Sequence, residues 1–101
     1  VAHLPTMQNT PEVRFHVPAD RKFQIAPEIL ARLRSENAKD VSINDIDGVR
    51  VTTPDGWWLM RASNTEDVLT IRAEAFNAEG LERLQAQLVS QLSQSGIGSP
   101  F

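Results

Sequence analysis

Between two apolar runs, Arg61-Ala62-Ser63-Asn64-Thr65 gathers a guanidinium, two hydroxyls and a carboxamide. A phosphate dianion asks for such a set, because its donors can converge and an arginine's planar fork grips two oxygens at once. Successive backbone N–H groups of a tight loop would add an anion-binding nest. The spacing suits this: Arg61 falls at the end of a strand, and Ser63 to Thr65 curl past it. The same residues also make a good turn, with Asn64, Thr65 and Asp67 bonding to their own backbone. Ser63 and Glu66 match a capping box, but the β-branched alternation after Val68 reads as strand rather than helix. Arg61 is then a solvated strand residue, and Arg72 shares a strand face with Glu74 as a surface pair worth only ~0–1 kcal/mol. Turn and site both stand on these features.

Other chemistries find less support. Ser63 has no neighbouring histidine or lysine in the sequence to act as its base. There are no cysteines and two histidines, His3 and His16, too far apart for a metal-ligand spacing. His16 faces outward as an exposed residue. Asp45 and Asp47, before a glycine, read as turn chemistry rather than a cation site. Trp57 and Trp58 must point to opposite faces of a strand, one into the core and the other to an edge, a domain contact or a sugar. A formal net charge of −3, from 10 Lys+Arg and 13 Asp+Glu, opposes wholesale binding to nucleic acid or to an anionic membrane. No apolar run approaches the ~18–20 residues of a membrane span, and no signal-peptide pattern is present, so the expected location is cytoplasmic. The start at Val1 rather than Met hints at a piece of a longer polypeptide.

A chain of 101 residues makes one small domain with a modest core. Residues 1–11, with prolines and no apolar period, read as a linker, and structure is expected after Pro11. Val13, Phe15 and Val17 alternate as a half-buried strand closed by Pro18. From an Asp20 N-cap, Phe23, Ile25, Ile29, Leu30 and Leu33 share one side of a helix, with Arg32, Arg34 and Glu36 on the other. Pro27 moves the start towards Ile25, and Asn37 ends the helix. A polar connector follows, with Val41, Ile43 and Ile46 touching the core. Pro54-Asp55-Gly56 turns a hairpin. Leu69, Ile71, Ala73 and Ala75 point inward on the next strand, and Thr70, Arg72 and Glu74 outward. Asn77 caps a last helix whose Leu81, Leu84, Leu88 and Leu92 form one face, ended by Gly96 and Gly98. The expected fold is therefore α+β: a two-layer sandwich of an antiparallel four-stranded sheet with two helices on one face, the other face free for a ligand or a neighbouring domain.

Asp47-Gly48, Val49-Arg50-Val51, Asp55-Gly56-Trp57, Arg61-Ala62-Ser63-Asn64-Thr65 and Arg72-Ala73-Glu74, in this order, resemble the C-terminal domain, domain 4, of the α-D-phosphohexomutases. The bacterial phosphomannomutase/phosphoglucomutases are the most similar group, and the likeness extends over residues 12–101, including the terminal Ser99-Pro100-Phe101. It implies a TATA-box-binding-protein-like fold and a domain that grips the non-transferring phosphate of a glucose or mannose 1-/6-phosphate through Arg61, Ser63, Asn64 and Thr65. Other domains of the parent enzyme would carry the phosphoserine, a Mg2+ loop and the sugar loop, so this chain would hold no catalytic and no metal-binding residue and would be inactive alone. Asp67 departs from the pattern, which usually has proline there. Two rival readings are a free-standing small-molecule-binding or regulatory module on the same sheet and a nucleic-acid binder. Net acidity and the lack of a basic stripe speak against the second.

Overall fold

The computed structural model describes residues 8–10, 12–46 and 48–101. Eight elements follow in order: β1 (Gln8–Asn9), β2 (Val13–His16), α1 (Ile25–Glu36), β3 (Ser42–Asn44), β4 (Val49–Thr53), β5 (Gly56–Ala62), β6 (Val68–Ala75) and α2 (Ala78–Gln94). All strand pairs are antiparallel, in the order β1-β6-β5-β4-β3, with β2 also paired to β6. The α+β class is as the sequence predicts. The sheet has six strands rather than four, the additions being the short edge strands β1 and β3.

Alternation along the strands divides the sheet. Val49 and Val51, Trp58 and Met60, and Leu69, Ile71, Ala73 and Ala75 are buried under the helices. Register stacks them, with Val51 beside Trp58 and Trp58 beside Ala73. Helix α1 contributes Ile25 and Ile29, and α2 contributes Leu84, Leu88 and Leu92, all within the same core. Each large side chain so buried stabilises the fold by ~1.5–3 kcal/mol relative to exposure. Helix α1 packs on β3, β4, β5 and α2, while α2 packs on β1, β5 and β6.

Several sequence expectations are corrected. Gln8 and Asn9, assigned to the linker, pair with Ala75 and Glu74, and buried Thr10 exchanges two bonds with Ala73 through its N–H and its Oγ1. A hydroxyl completing the ladder is not visible as hydrophobic period. Val1 to Met7 and Pro11 lie outside the described residues. Ile25 does begin α1, with Pro27 in the first turn, but Gln24 rather than Asp20 holds the cap position, and its side chain makes no capping bond to the helix. Phe23 therefore precedes the helix, out of its register, and is 59% exposed. Ile46 is exposed as well, since it belongs to a turn after β3. Arg32, placed on the outer side, reaches across to α2 and donates to Gln91 Oε1, the Gln91 carbonyl and Ser95 Oγ.

The stop and start signals of the helices hold. Asn37 adopts the left-handed conformation at φ 48°, which an asparagine tolerates, and its N–H returns to the Leu33 carbonyl. Asn77 accepts from the Gly80 N–H at 2.7 Å, and Glu79 lies in the first turn of α2. In the β4–β5 hairpin Gly56 takes φ +143°, and a Cβ there would overlap the Glu74 carbonyl oxygen.

Candidate anion-binding site

On the helix-free face, the outward residues of neighbouring strands form rows. Arg61 of β5 pairs with Thr70 of β6, which pairs in turn with Arg14 of β2. The next row holds Arg50, Leu59 and Arg72, and the one beyond it Thr52, Trp57 and Glu74. Trp57 lies under two guanidiniums, with Arg50 at 4.6 Å and Arg72 at 5.9 Å from its ring centroid. Arg72 thus makes a ring contact rather than the expected pair with Glu74. Trp58, its neighbour, is fully buried and donates its indole N–H to Gln87 Oε1 at 3.1 Å.

The β5–β6 connection, residues 63–67, curls past the end of the Arg61 row. Its base is closed by the Ser63 N–H donating to the Val68 carbonyl at 3.0 Å. Ser63 Oγ accepts from the Thr65 N–H at 3.3 Å and from the Glu66 N–H at 3.2 Å. The hydroxyl half of a capping box is therefore made, but in a turn. The Glu66 carboxylate goes instead to Arg14 at 3.1 Å, between side chains that are both more than half exposed. The amides of Ser63, Thr65 and Glu66 are thus engaged within the loop, so the side chains carry the donors towards an anion. Ser63 keeps its O–H proton to give outward, and Asn64 and Thr65 are exposed.

These residues meet in one open depression of about 510 Å³, lined by Glu12, Arg14, Arg61, Ser63, Asn64, Thr65 and Thr70, so that one carboxylate shares it with two guanidiniums. All four residues singled out in the sequence are brought together. Sequence reading missed Arg14 and Thr70, because strand register, not spacing along the chain, puts them beside Arg61. Two guanidiniums, hydroxyls and an amide suit an anion and would repel a divalent cation. Among the described residues no group of three or more His, Cys, Asp or Glu could hold a metal. Asp45 is instead paired with Arg34 at 2.7 Å, which holds its carboxyl below the usual range, and Asp47 lies outside the described residues. A second groove, of about 540 Å³, opens between the helices beside Leu33, Val41 and Trp58. Its lining is mostly apolar and amide, with Glu36 and no Lys or Arg.

The description "Phosphoglucomutase/phosphomannomutase, C-terminal domain" matches residues 12–91. The chain belongs to the phosphoglucomutase/phosphomannomutase family. Similar curated relatives include the phosphomannomutase/phosphoglucomutase of Pseudomonas aeruginosa strain PAO1, 41% identical over 97% of this chain and 21% of that protein. The phosphoglucomutase of Neisseria meningitidis serogroup B is 41% identical over 84% of this chain and 18% of its own length. A crystal structure of a phosphoglucomutase/phosphomannomutase family protein from Burkholderia thailandensis superposes with a TM-score of 0.73 at 31% identity, covering 97% of this chain and 20% of that one. This phosphoglucomutase/phosphomannomutase domain thus spans about a fifth of the length of the relatives it matches. Among the described residues no helix is long and apolar enough to cross a membrane.

Proposed function

We propose that this domain, residues 12–101 with Gln8 to Thr10 added at the edge of its sheet, forms the phosphate-holding wall of a cytoplasmic hexose-phosphate mutase. Arg61, Ser63, Asn64 and Thr65 hold the phosphate of glucose or mannose 1-/6-phosphate that is not transferred, aided by Arg14. The observation that carries this reading is their convergence on one open depression at the edge of the helix-free face. A bidentate guanidinium fixes orientation, and the hydroxyl and amide donors complete the oxygen shell. Binding and orientation are what such a wall contributes, since holding a remote phosphate lowers the entropic cost of reaction elsewhere on the substrate.

The bond-making groups and a Mg2+ ion, which the family resemblance implies, would be held by other parts of the parent enzyme. The isolated chain is then inactive as a mutase and packs, in the parent, on those other domains. Open to water, the depression holds glucose 1-phosphate at millimolar affinity or weaker, because each charge-assisted bond competes with hydration. A chemical-shift titration with glucose 1-phosphate tests this. Shifts confined to Arg61–Thr65 and their row neighbours support the reading; micromolar binding, or shifts that avoid this loop, would sink it.

A further inference from the structure

The loop that lines the depression is held from behind by a buried cation. Lys22 lies in the turn before α1, with its side chain only 8% exposed. An ammonium is costly to bury unless it is paired and hydrogen-bonded. Its Nζ donates to the Glu66 carbonyl at 2.8 Å, lies 3.5 Å from Asp67 Oδ1, and is 4.7 Å from the centroid of the Phe23 ring. Both oxygen partners belong to the outgoing limb of the 63–67 loop. The Val17 N–H holds the same limb by donating to the Asp67 carbonyl at 3.0 Å. Lys22 also lines, with Arg61, Ala62 and Asn64, a shallow depression of about 240 Å³. Lys22 therefore borders the same hollow as the strand end that carries Arg61.

We propose that Lys22 is a positioning residue for this loop. It clamps Glu66 and Asp67 so that Ser63, Asn64 and Thr65 keep their orientation towards the anion. With Asp67 it does by charge what a proline at position 67 would do by fixing φ. The proposal rests on the phosphate-holding reading for its functional meaning, but the clamp itself is a property of the ligand-free loop. One consequence is specific to an ionic clamp: Asp67 is 55% exposed, so salt loosens the pair, whereas a steric clamp ignores salt.

Amide hydrogen exchange at residues 63–68 of the ligand-free chain, followed by titration with glucose 1-phosphate, tests the clamp. The set compares the natural chain with Lys22→Met, Asp67→Asn, Asp67→Pro and the double variant Lys22→Met/Asp67→Pro. Lys22→Met speeds exchange of the Ser63 N–H and weakens glucose 1-phosphate binding about three- to tenfold. In the natural chain exchange quickens as KCl rises from ~0.05 to ~0.5 M, and Asp67→Asn diminishes that salt response, the exposed Arg14–Glu66 pair carrying the remainder. Proline at 67 keeps the carbonyl used by Val17 and, in the double variant, restores affinity to within about twofold by fixing φ. A folded Lys22→Met chain with unchanged exchange, or a salt response undiminished in Asp67→Asn, overturns the proposal. Should Lys22→Met fail to fold, Asp67→Asn at its exposed position decides alone. If glucose 1-phosphate shifts residues away from this loop, the phosphate reading falls while the exchange data still judge the clamp.

Discussion

Arg61 acts from the last stretch of β5, and its aim depends on a glycine across the sheet. Gly48 holds φ +90°, and a Cβ added there would overlap the Met60 carbonyl oxygen and come within 2.9 Å of Arg61 Cβ. Gly48→Ala is therefore expected to cost on the order of 2–4 kcal/mol in denaturant unfolding and to weaken glucose 1-phosphate binding by displacing Arg61. Direct loss of the guanidinium is cleaner. Arg61→Ala removes a charge-assisted donor worth ~1.5–3 kcal/mol, about tenfold or more in affinity. Arg61→Lys recovers only part of it, because an ammonium is a point charge without the planar fork. Titration by chemical shift reads both. At this scale the sequence showed which residue types could grip a phosphate, since Arg61, Ser63, Asn64 and Thr65 are adjacent in the chain. It could not show that the Ser63 hydroxyl also accepts from two amides, because that depends on the curl of the loop.

The elements hold these residues through core packing and a few buried or shielded ties. Trp58 sits on the covered face of β5, fully buried, one position from the exposed-face Trp57. Trp58→Ala leaves a cavity under α2 and the lost indole bond to Gln87, so ~3–5 kcal/mol of stability is expected to go, read as a lower denaturant midpoint. Arg21 grips Glu28 through two bonds of 2.7 and 2.8 Å and also donates to the Ser95 carbonyl, joining the turn before α1 to the end of α2. These contacts, with the Arg21 bond the largest, pull the Glu28 carboxyl down from 4.5 to about 2. A carboxyl lowered in the folded state contributes stability that is complete above about 4.5 and lost as pH falls through about 2. Glu28→Gln is accordingly expected to lower the thermal midpoint at pH 7, with the difference from the natural chain shrinking below pH 4.5. Convergence of the two melting curves near pH 2 checks it. Hairpin and helix signals were local and therefore legible: Pro54-Asp55-Gly56, Pro27, Asn37 and Asn77 all mark ends in the structure. Arg32 was misplaced because a long, charged side chain can cross to another helix while its Cα sits on the outer flank.

For the molecule as a whole, the two faces of the sheet divide the labour. One is consumed by the helices; the other displays Arg14, Arg50, Arg61 and Arg72 with Trp57 and Leu59, despite a net charge of −3. Composition conceals this patch, since acids elsewhere outnumber it and strand alternation scatters its members along the chain. The chain covers about a fifth of its relatives, and on the proposed reading the site acts within a longer protein of that kind. Arg61→Ala in the parent mutase is expected to lower kcat/KM at least tenfold, seen in a coupled glucose 6-phosphate assay, while the isolated chain gives no turnover in that assay.

By itself the sequence determined the α+β class, the hairpin, the two helices and the run of phosphate-suited residues, because each is written in neighbours: alternation, caps, turn residues and a continuous motif. Only the tertiary structure decided what depends on register and on distant segments meeting. The pairing of β2 with β6 brings Arg14 to Arg61, the ladder extends through Thr10, and Lys22 reaches the back of the loop. Such contacts join residues tens of positions apart, and their geometry is set by the core that packs the sheet against its helices rather than by any local preference.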